Sequence, residues 1–163
     1  MDGFWLGFRL LMLLAVANVA PIVVKRLLGP RWRMPLDGGL RFVDGRPLLG
    51  ASKTVRGVVA AVVATALVAP VVAIPWELGA RIGVAAMAGD ALSSFVKRRA
   101  GIASSDRATG LDQIPEALLP LLAVQGPLDL SPLQVAGTTL AFFVLEIPFA
   151  RLFHLLGLRD KPY

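Results

Sequence analysis

The sequence predicts an all-α integral membrane protein of about five transmembrane helices, with its N-terminus outside and its C-terminus inside. Composition is the first reason: 56% of the 163 residues are hydrophobic and the mean hydropathy is +0.69. A soluble domain of this size leaves roughly a third of its unfolded surface in water and has nowhere to hide so much apolar side chain. The second reason is the recurrence of apolar stretches near the roughly 20 residues that cross a bilayer. The third is charge placement, because 15 of the 17 Lys and Arg residues fall on alternate connections, as they do on cytoplasmic segments. The absence of cysteine and the single histidine exclude a disulfide scaffold, a thiolate metal site, a cysteine nucleophile and a multi-histidine centre. Residues 1–163 read as a single polytopic domain in the cell membrane.

The first span runs from about Phe4 to Val24 and the second from Val58 to Leu78. A shorter one, Ile82 to Val96, is interrupted by Asp90, and the fourth, Ile114 to Val124, contains Pro115 and Pro120. The fifth runs from Leu133 to Leu156. Basic residues collect in the segment before span two, in Lys97, Arg98, Arg99 and Arg107 after span three, and in Arg151, Arg159 and Lys161 at the C-terminal end. Five spans put all three groups on one side, whereas four would split them. The net charge of +6 is then a one-sided cytoplasmic field, suited to membrane lipids with anionic headgroups or to an anionic soluble substrate. Two cytoplasmic loops follow, 25–57 and 97–113, which together form the site. The first is too long for an idle connection, and Gly39 to Gly50 reads as a small hairpin about a two-residue Asp44-Gly45 turn. Scattered aromatic residues offer no base-stacking platform, so nucleic acid is not an expected partner.

Asp90 is the most informative residue, because an ionisable group in a span is costly and faces the protein interior or a polar cavity. On a helix Asp90, Ser93, Ser94 and Lys97 share one stripe. Asp112 lies beyond the Lys97-Arg98-Arg99 cluster, and two carboxylates bracketing such a loop can share a divalent cation that bridges phosphate oxygens. Gly50-Ala-Ser52-Lys53-Thr54-Val-Arg56-Gly57, at the start of span two, combines backbone donors and a positive helix end with Lys, Thr and Arg, an arrangement suited to an anion. Structural readings stand beside these. In these, Asp90 is half of an internal salt bridge, Asp112 the N-cap of span four, and Lys53 and Arg56 ordinary flanking charge. Asn18 serves as an interhelical hydrogen-bond donor. Glu146 and His154 fit either a polar contact within span five or a relay.

In their order and spacing these residues resemble the CDP-archaeol synthase family, a branch of the membrane cytidylyltransferases related to CDP-diacylglycerol synthase. The resemblance is carried by Ala17-Asn18-x-x-Pro21, Pro35-Leu36-Asp37-Gly38, Phe42-x-Asp44-Gly45-Arg46, Leu49-Gly50-x-x-Lys53-Thr54-x-Arg56-Gly57, Gly89-Asp90-x-x-Ser93-Ser94-Phe95-x-Lys97-Arg98-Arg99-x-Gly101 and Leu111-Asp112-Gln113. It implies condensation of CTP with a lipid phosphate monoester, giving a CDP-activated lipid and pyrophosphate with Mg²⁺ as cofactor. On that resemblance Asp90, Lys53 and Lys97 are the catalytic residues, and Asp90 and Asp112 hold Mg²⁺. Lys53, Thr54, Arg56, Ser93, Ser94, Lys97 and Arg98 contact the triphosphate or lipid phosphate, and Asn18, Asp44 and Arg46 orient nucleotide or headgroup. The family pattern has a second aspartate where Pro115 stands, and Glu116, which follows it, is the residue that can substitute. Two other classes compete. A CDP-alcohol phosphatidyltransferase needs a D-x-x-D-G-x-x-A-R run that Asp44-Gly45 lacks. A small transporter or scaffold with Asp90 in an ion path needs polar residues across the whole bilayer.

Overall fold

A computed structural model describes residues 3–103, 106, 108 and 110–155, with side chains to Pro148. The chain forms α1 (Gly3–Leu28), α2 (Val55–Val68), a 3₁₀ turn (Ala69–Val72), α3 (Trp76–Arg99), α4 (Gln113–Val124) and α5 (Pro132–Leu155). Each helix packs on the next in sequence, and α3 also meets α1, so α3 is the centre of the bundle. Gly3–Leu28 and Val55–Val72 are long and apolar enough to cross a membrane, and Gln113–Val124 and Pro132–Pro148 are shorter apolar helices. Their outward faces are strongly apolar: Phe4, Trp5 and Phe8 on α1, Val59, Val63 and Leu67 on α2, and Leu133 and Leu140 on α5 are all exposed. In water such faces would aggregate; against lipid they are solvated.

Inside, Leu10, Leu13 and Leu14 of α1 pack with Ile82 of α3 and with Ala117, Leu121 and Val124 of α4. A second cluster, Ala17, Ala61, Ala86 and Met87, lies beside the site. Small residues decide how closely the helices approach. Gly79 and Gly83, one turn apart on α3, face α2 so tightly that a Cβ at Gly79 would lie 2.5 Å from the Ala69 Cβ and from the Thr65 carbonyl oxygen. Gly89 does the same toward α4, where a Cβ would run into the Pro115 carbonyl.

The expected second span, Val58 to Leu78, is broken. Pro70 has no N–H to continue α2 and instead opens the 3₁₀ turn, after which Ala73 turns the chain with φ 55° and Ile74 donates back to the Ala69 carbonyl at 2.9 Å. Pro75 then precedes α3, which begins six residues before the expected Ile82 and runs to Arg99. The predicted hairpin is only partly present. No strand forms among the described residues, but isolated bridges pair Arg41 with Pro47 and Pro35 with Thr54. Its turn has three residues rather than two: Phe42 N–H donates to the Arg46 carbonyl, and Gly45, at φ 74°, takes the left-handed position that closes such a loop. The connecting segments 29–54 and 100–112 are shorter than expected, because α1 and α3 extend into the two predicted loops. Arg107, Leu156, Arg159 and Lys161 lie outside the described residues, as do the side chains of Arg151 and His154.

Candidate functional site

The close approach of α3 and α4 at Gly89 and Pro115 sets the neighbouring residues of each helix against one another. Asp90 follows Gly89 and Glu116 follows Pro115, so their carboxyl groups lie beside one another. Lys53, in the loop just before α2, completes the group: its Nζ lies 2.5 Å from Asp90 Oδ1. Burial alone would pull the Lys53 ammonium below the ordinary lysine value, but the Asp90 and Glu116 carboxylates beside it more than offset this and hold it above that value. Glu146 of α5 lies near enough to Glu116 to act on it electrostatically. Two adjacent carboxylates away from water need a shared proton or a cation between them. The Pro115 backbone carries the close approach and Glu116 supplies the carboxylate, the residue that the sequence offers as a substitute for the missing second aspartate.

Asp90 and Lys53 open onto a cavity of about 310 Å³, whose lining also includes Lys25, Arg33, Thr54, Arg56 and Pro21. Arg33, one of the basic residues between α1 and α2, therefore belongs to the cavity wall. Thr54 caps α2, its hydroxyl oxygen accepting from Gly57 N–H at 3.3 Å, so the positive end of α2 points to the same space. Arg56 is anchored by Nη1 donating to the Gly29 carbonyl at 2.8 Å and to the Arg31 carbonyl.

The other predicted residues lie around this centre with protein partners of their own. Lys97 pairs with Asp112 at 2.6 Å and donates to the Asp106 carbonyl at 3.0 Å. Asp112 occupies the cap position of α4, yet its side chain makes no capping bond; Oδ2 accepts instead from Ala108 N–H at 2.9 Å, because Lys97 draws the carboxylate back toward α3. Arg98 donates to the Ile102 carbonyl at 2.5 Å. Ser93 is bonded within α3 to the Gly89 carbonyl at 2.9 Å, and Ser94 is buried beside it. Asn18 donates to the Leu14 carbonyl of its own helix at 3.0 Å rather than across to another helix.

Asp44 and Arg46 hold the 29–54 loop against the end of α3. Arg46 Nη1 donates to the Arg99 carbonyl at 2.6 Å and the Arg98 carbonyl at 3.3 Å. Asp44 pairs with Arg99 at 2.5 Å, and the Arg99 guanidinium lies 4.7 Å from the centre of the Phe42 ring and 5.1 Å from that of Phe95. Asp37 is the organising residue that sequence reasoning quoted without a role. Buried, its carboxylate accepts from Gly39, Leu49 and Gly50 N–H at 2.9, 2.8 and 3.2 Å. Burial pushes its pKa up, but those three backbone donors outweigh it and hold the carboxyl below the ordinary aspartate value. The signal for this role was the Asp37-Gly38-Gly39 run, since a side chain can satisfy loop N–H groups only where the backbone turns sharply around it.

A family model described as CarS-like CDP-archaeol synthase matches residues 7–80. A CDP-archaeol synthase of Thermofilum pendens is 34% identical, the match covering 91% of this chain and 76% of the relative. One from Sulfurisphaera tokodaii is also 34% identical, over 79% of this chain and 81% of the relative. A solved structure, described as an intramembrane enzyme for archaeal membrane lipids biosynthesis, superposes with a TM-score of 0.73 at 32% identity, covering 86% of this chain and 89% of that one.

Proposed function

Because this chain belongs to the CDP-archaeol synthase family, we propose that the Lys53–Asp90–Glu116 group is the reaction centre of its cytidylyl transfer. The reaction is CTP-dependent and converts a lipid phosphate to a CDP-lipid; the transporter or scaffold reading is not favoured. A lipid phosphate oxygen bonds to the α-phosphorus of CTP while the bond to the β-phosphate oxygen breaks, and pyrophosphate leaves with the electron pair. The nucleophile is already anionic, so the protein's task is alignment and charge neutralisation rather than proton abstraction. The names of the relatives favour archaeol phosphate as acceptor.

The observation that carries this reading is a half-buried cation–carboxylate group opening onto a cavity walled by Lys25, Arg33 and Arg56. Lys53 and Arg56 are suited to bind the phosphates and orient them. Lys97 and Arg98 line the neighbouring loop and, with Ser93 and Ser94, support α3 beneath it. Asp44 and Arg46 act on the nucleotide by holding the loop in position, and Asn18 helps shape α1 next to Pro21.

Hard carboxylate oxygens at Asp90 and Glu116 fit Mg²⁺, which is bound through one or two carboxylates together with substrate phosphates. Asp112 is the other candidate ligand, although it is engaged by Lys97. Such an ion would draw negative charge from the triphosphate. The basic asymmetry supports a site on the cytoplasmic side, with the N-terminus outside and C-terminus inside. A cysteine introduced at Gly45 reacting only from the outer face would overturn that sidedness.

The test is pyrophosphate release by purified protein given CTP with diether or diacyl lipid phosphates. Asp90→Asn should abolish release and its response to Mg²⁺ while the protein still inserts. Lys53→Ala should lower it roughly tenfold to a hundredfold, the worth of one charge-assisted hydrogen bond. Wild-type rates in both variants remove the centre of the proposal.

A further inference from the structure

Resting on the lipid-phosphate reading above, we propose that the apolar groove between α1 and α2 seats the hydrocarbon chain of the acceptor lipid, with Arg56 holding its phosphate at the groove mouth. The groove has a volume of about 1050 Å³, and Arg56 is the sole charged residue among those described along it. Arg56 also lines the polar cavity that contains Lys53 and Asp90. One guanidinium, fixed by the Gly29 and Arg31 carbonyls, therefore stands at the junction of an apolar and a cationic space. A molecule with a long apolar chain and a terminal phosphate matches both.

The furrow exists because small side chains, Ala20 on α1 and Ala60 and Ala64 on α2, lie between the larger Val19 and Val63. Along α2 it extends from Val55 to Leu67, about 18 Å at the helical rise. That is close to the depth of one leaflet in a hydrocarbon core about 30 Å thick. A lipid of the leaflet that carries the site could therefore lie along it without leaving its own depth. Trp32 and Met34, from the loop after α1, border the same end as Arg56, and Trp32 is 79% exposed. An indole at this level suits the headgroup boundary. Bulk lipid would fill any furrow, but it has no reason to prefer the one whose end is shared with the reaction centre.

Two measurements test this. Ala64→Trp should fill the groove and raise the KM for lipid phosphate at least tenfold while leaving the KM for CTP unchanged. Leu145→Trp, on the exposed face of α5, should change neither. A lipid phosphate with a photoactivatable diazirine on its chain should label α1 and α2 of the wild-type protein, competed by unlabelled lipid phosphate but not by the corresponding alcohol. An unchanged lipid KM in folded Ala64→Trp, labelling spread evenly over α3 and α5, or equal competition by the alcohol would overturn the proposal. Labelling uses the wild-type chain, so it decides the matter even if Ala64→Trp fails to insert. Should labelling be competed by phosphate while no CTP-dependent transfer occurs, the groove stands and the assigned reaction fails.

Discussion

The α3–α4 seam and the 29–54 loop both gather charged residues, by opposite means. In the seam, Asp90, Glu116 and Lys53 face one another and a cavity, and they are brought together by backbones packed too closely for a side chain at Gly89. In the loop, Asp37 and Arg46 spend their hydrogen bonds on backbone groups, and Asp44 spends its charge on Arg99. The lesson is that clustering of charge does not by itself identify chemistry. Charges turned toward each other and toward an open space are available to a ligand, whereas charges turned toward peptide groups hold the frame.

The largest effect expected from this contrast is at Gly89. Gly89→Ala pushes a methyl group into the Pro115 carbonyl, separating Asp90 from Glu116, and a misplacement on the order of 1 Å costs about a hundredfold in rate. Pyrophosphate release should fall by at least that much, with a stability loss of only about 1 to 3 kcal/mol from overpacking. Near-normal turnover would mean the seam does not need its close contact.

The loop should respond in stability instead. Asp37→Ala strands three backbone donors, and the thermal midpoint should drop by an amount equivalent to about 2 to 3 kcal/mol. The sign of the pH dependence follows from the depressed pKa of Asp37. Its contribution is fully present above the unfolded value near pH 4 and is lost as pH falls through the lower folded value. Melting curves from pH 6 down to pH 3 should converge for wild type and Asp37→Asn at the acid end; parallel curves would show that Asp37 is not the acid-sensitive clamp.

The smallest effect is expected at Arg99. Arg99→Lys keeps the charge beside Asp44 but loses the flat stacking on Phe42 and Phe95, worth about 0.5 to 1 kcal/mol in so exposed a place. A double-mutant cycle with Phe42→Leu should return a coupling of that size; a much larger value would move the loop's anchor from Asp37 to this cluster.

The five helices and their order were legible because apolar length and basic charge gathered on alternate connections are properties of the chain itself. The break after Val68 was harder to see, since Val71, Val72 and Ile74 are as apolar as the helix they end, and only Pro70 and Pro75 mark it. Asp90 and Lys53 were recognisable as separate oddities, a charge in a span and a basic residue at a helix start. Their meeting was not, because it depends on which face of α3 the glycines give to α4. Asp112 shows the opposite case. Its position promised a helix cap, and a long-range partner, Lys97, took the side chain elsewhere.

The Lys53–Asp90 pair also bears on how the chain is made. On the five-span reading, Asp90 enters the bilayer as part of α3, where an uncompensated carboxylate is costly. Lys53 precedes it by 37 residues, so synthesis from the N-terminus delivers the cation before the anion that needs it. Glu116 emerges later still, to a neighbour already neutralised. The order of the residues is thus also an order of insertion, and a rearranged chain that began at α3 would have to bring Asp90 into the membrane alone.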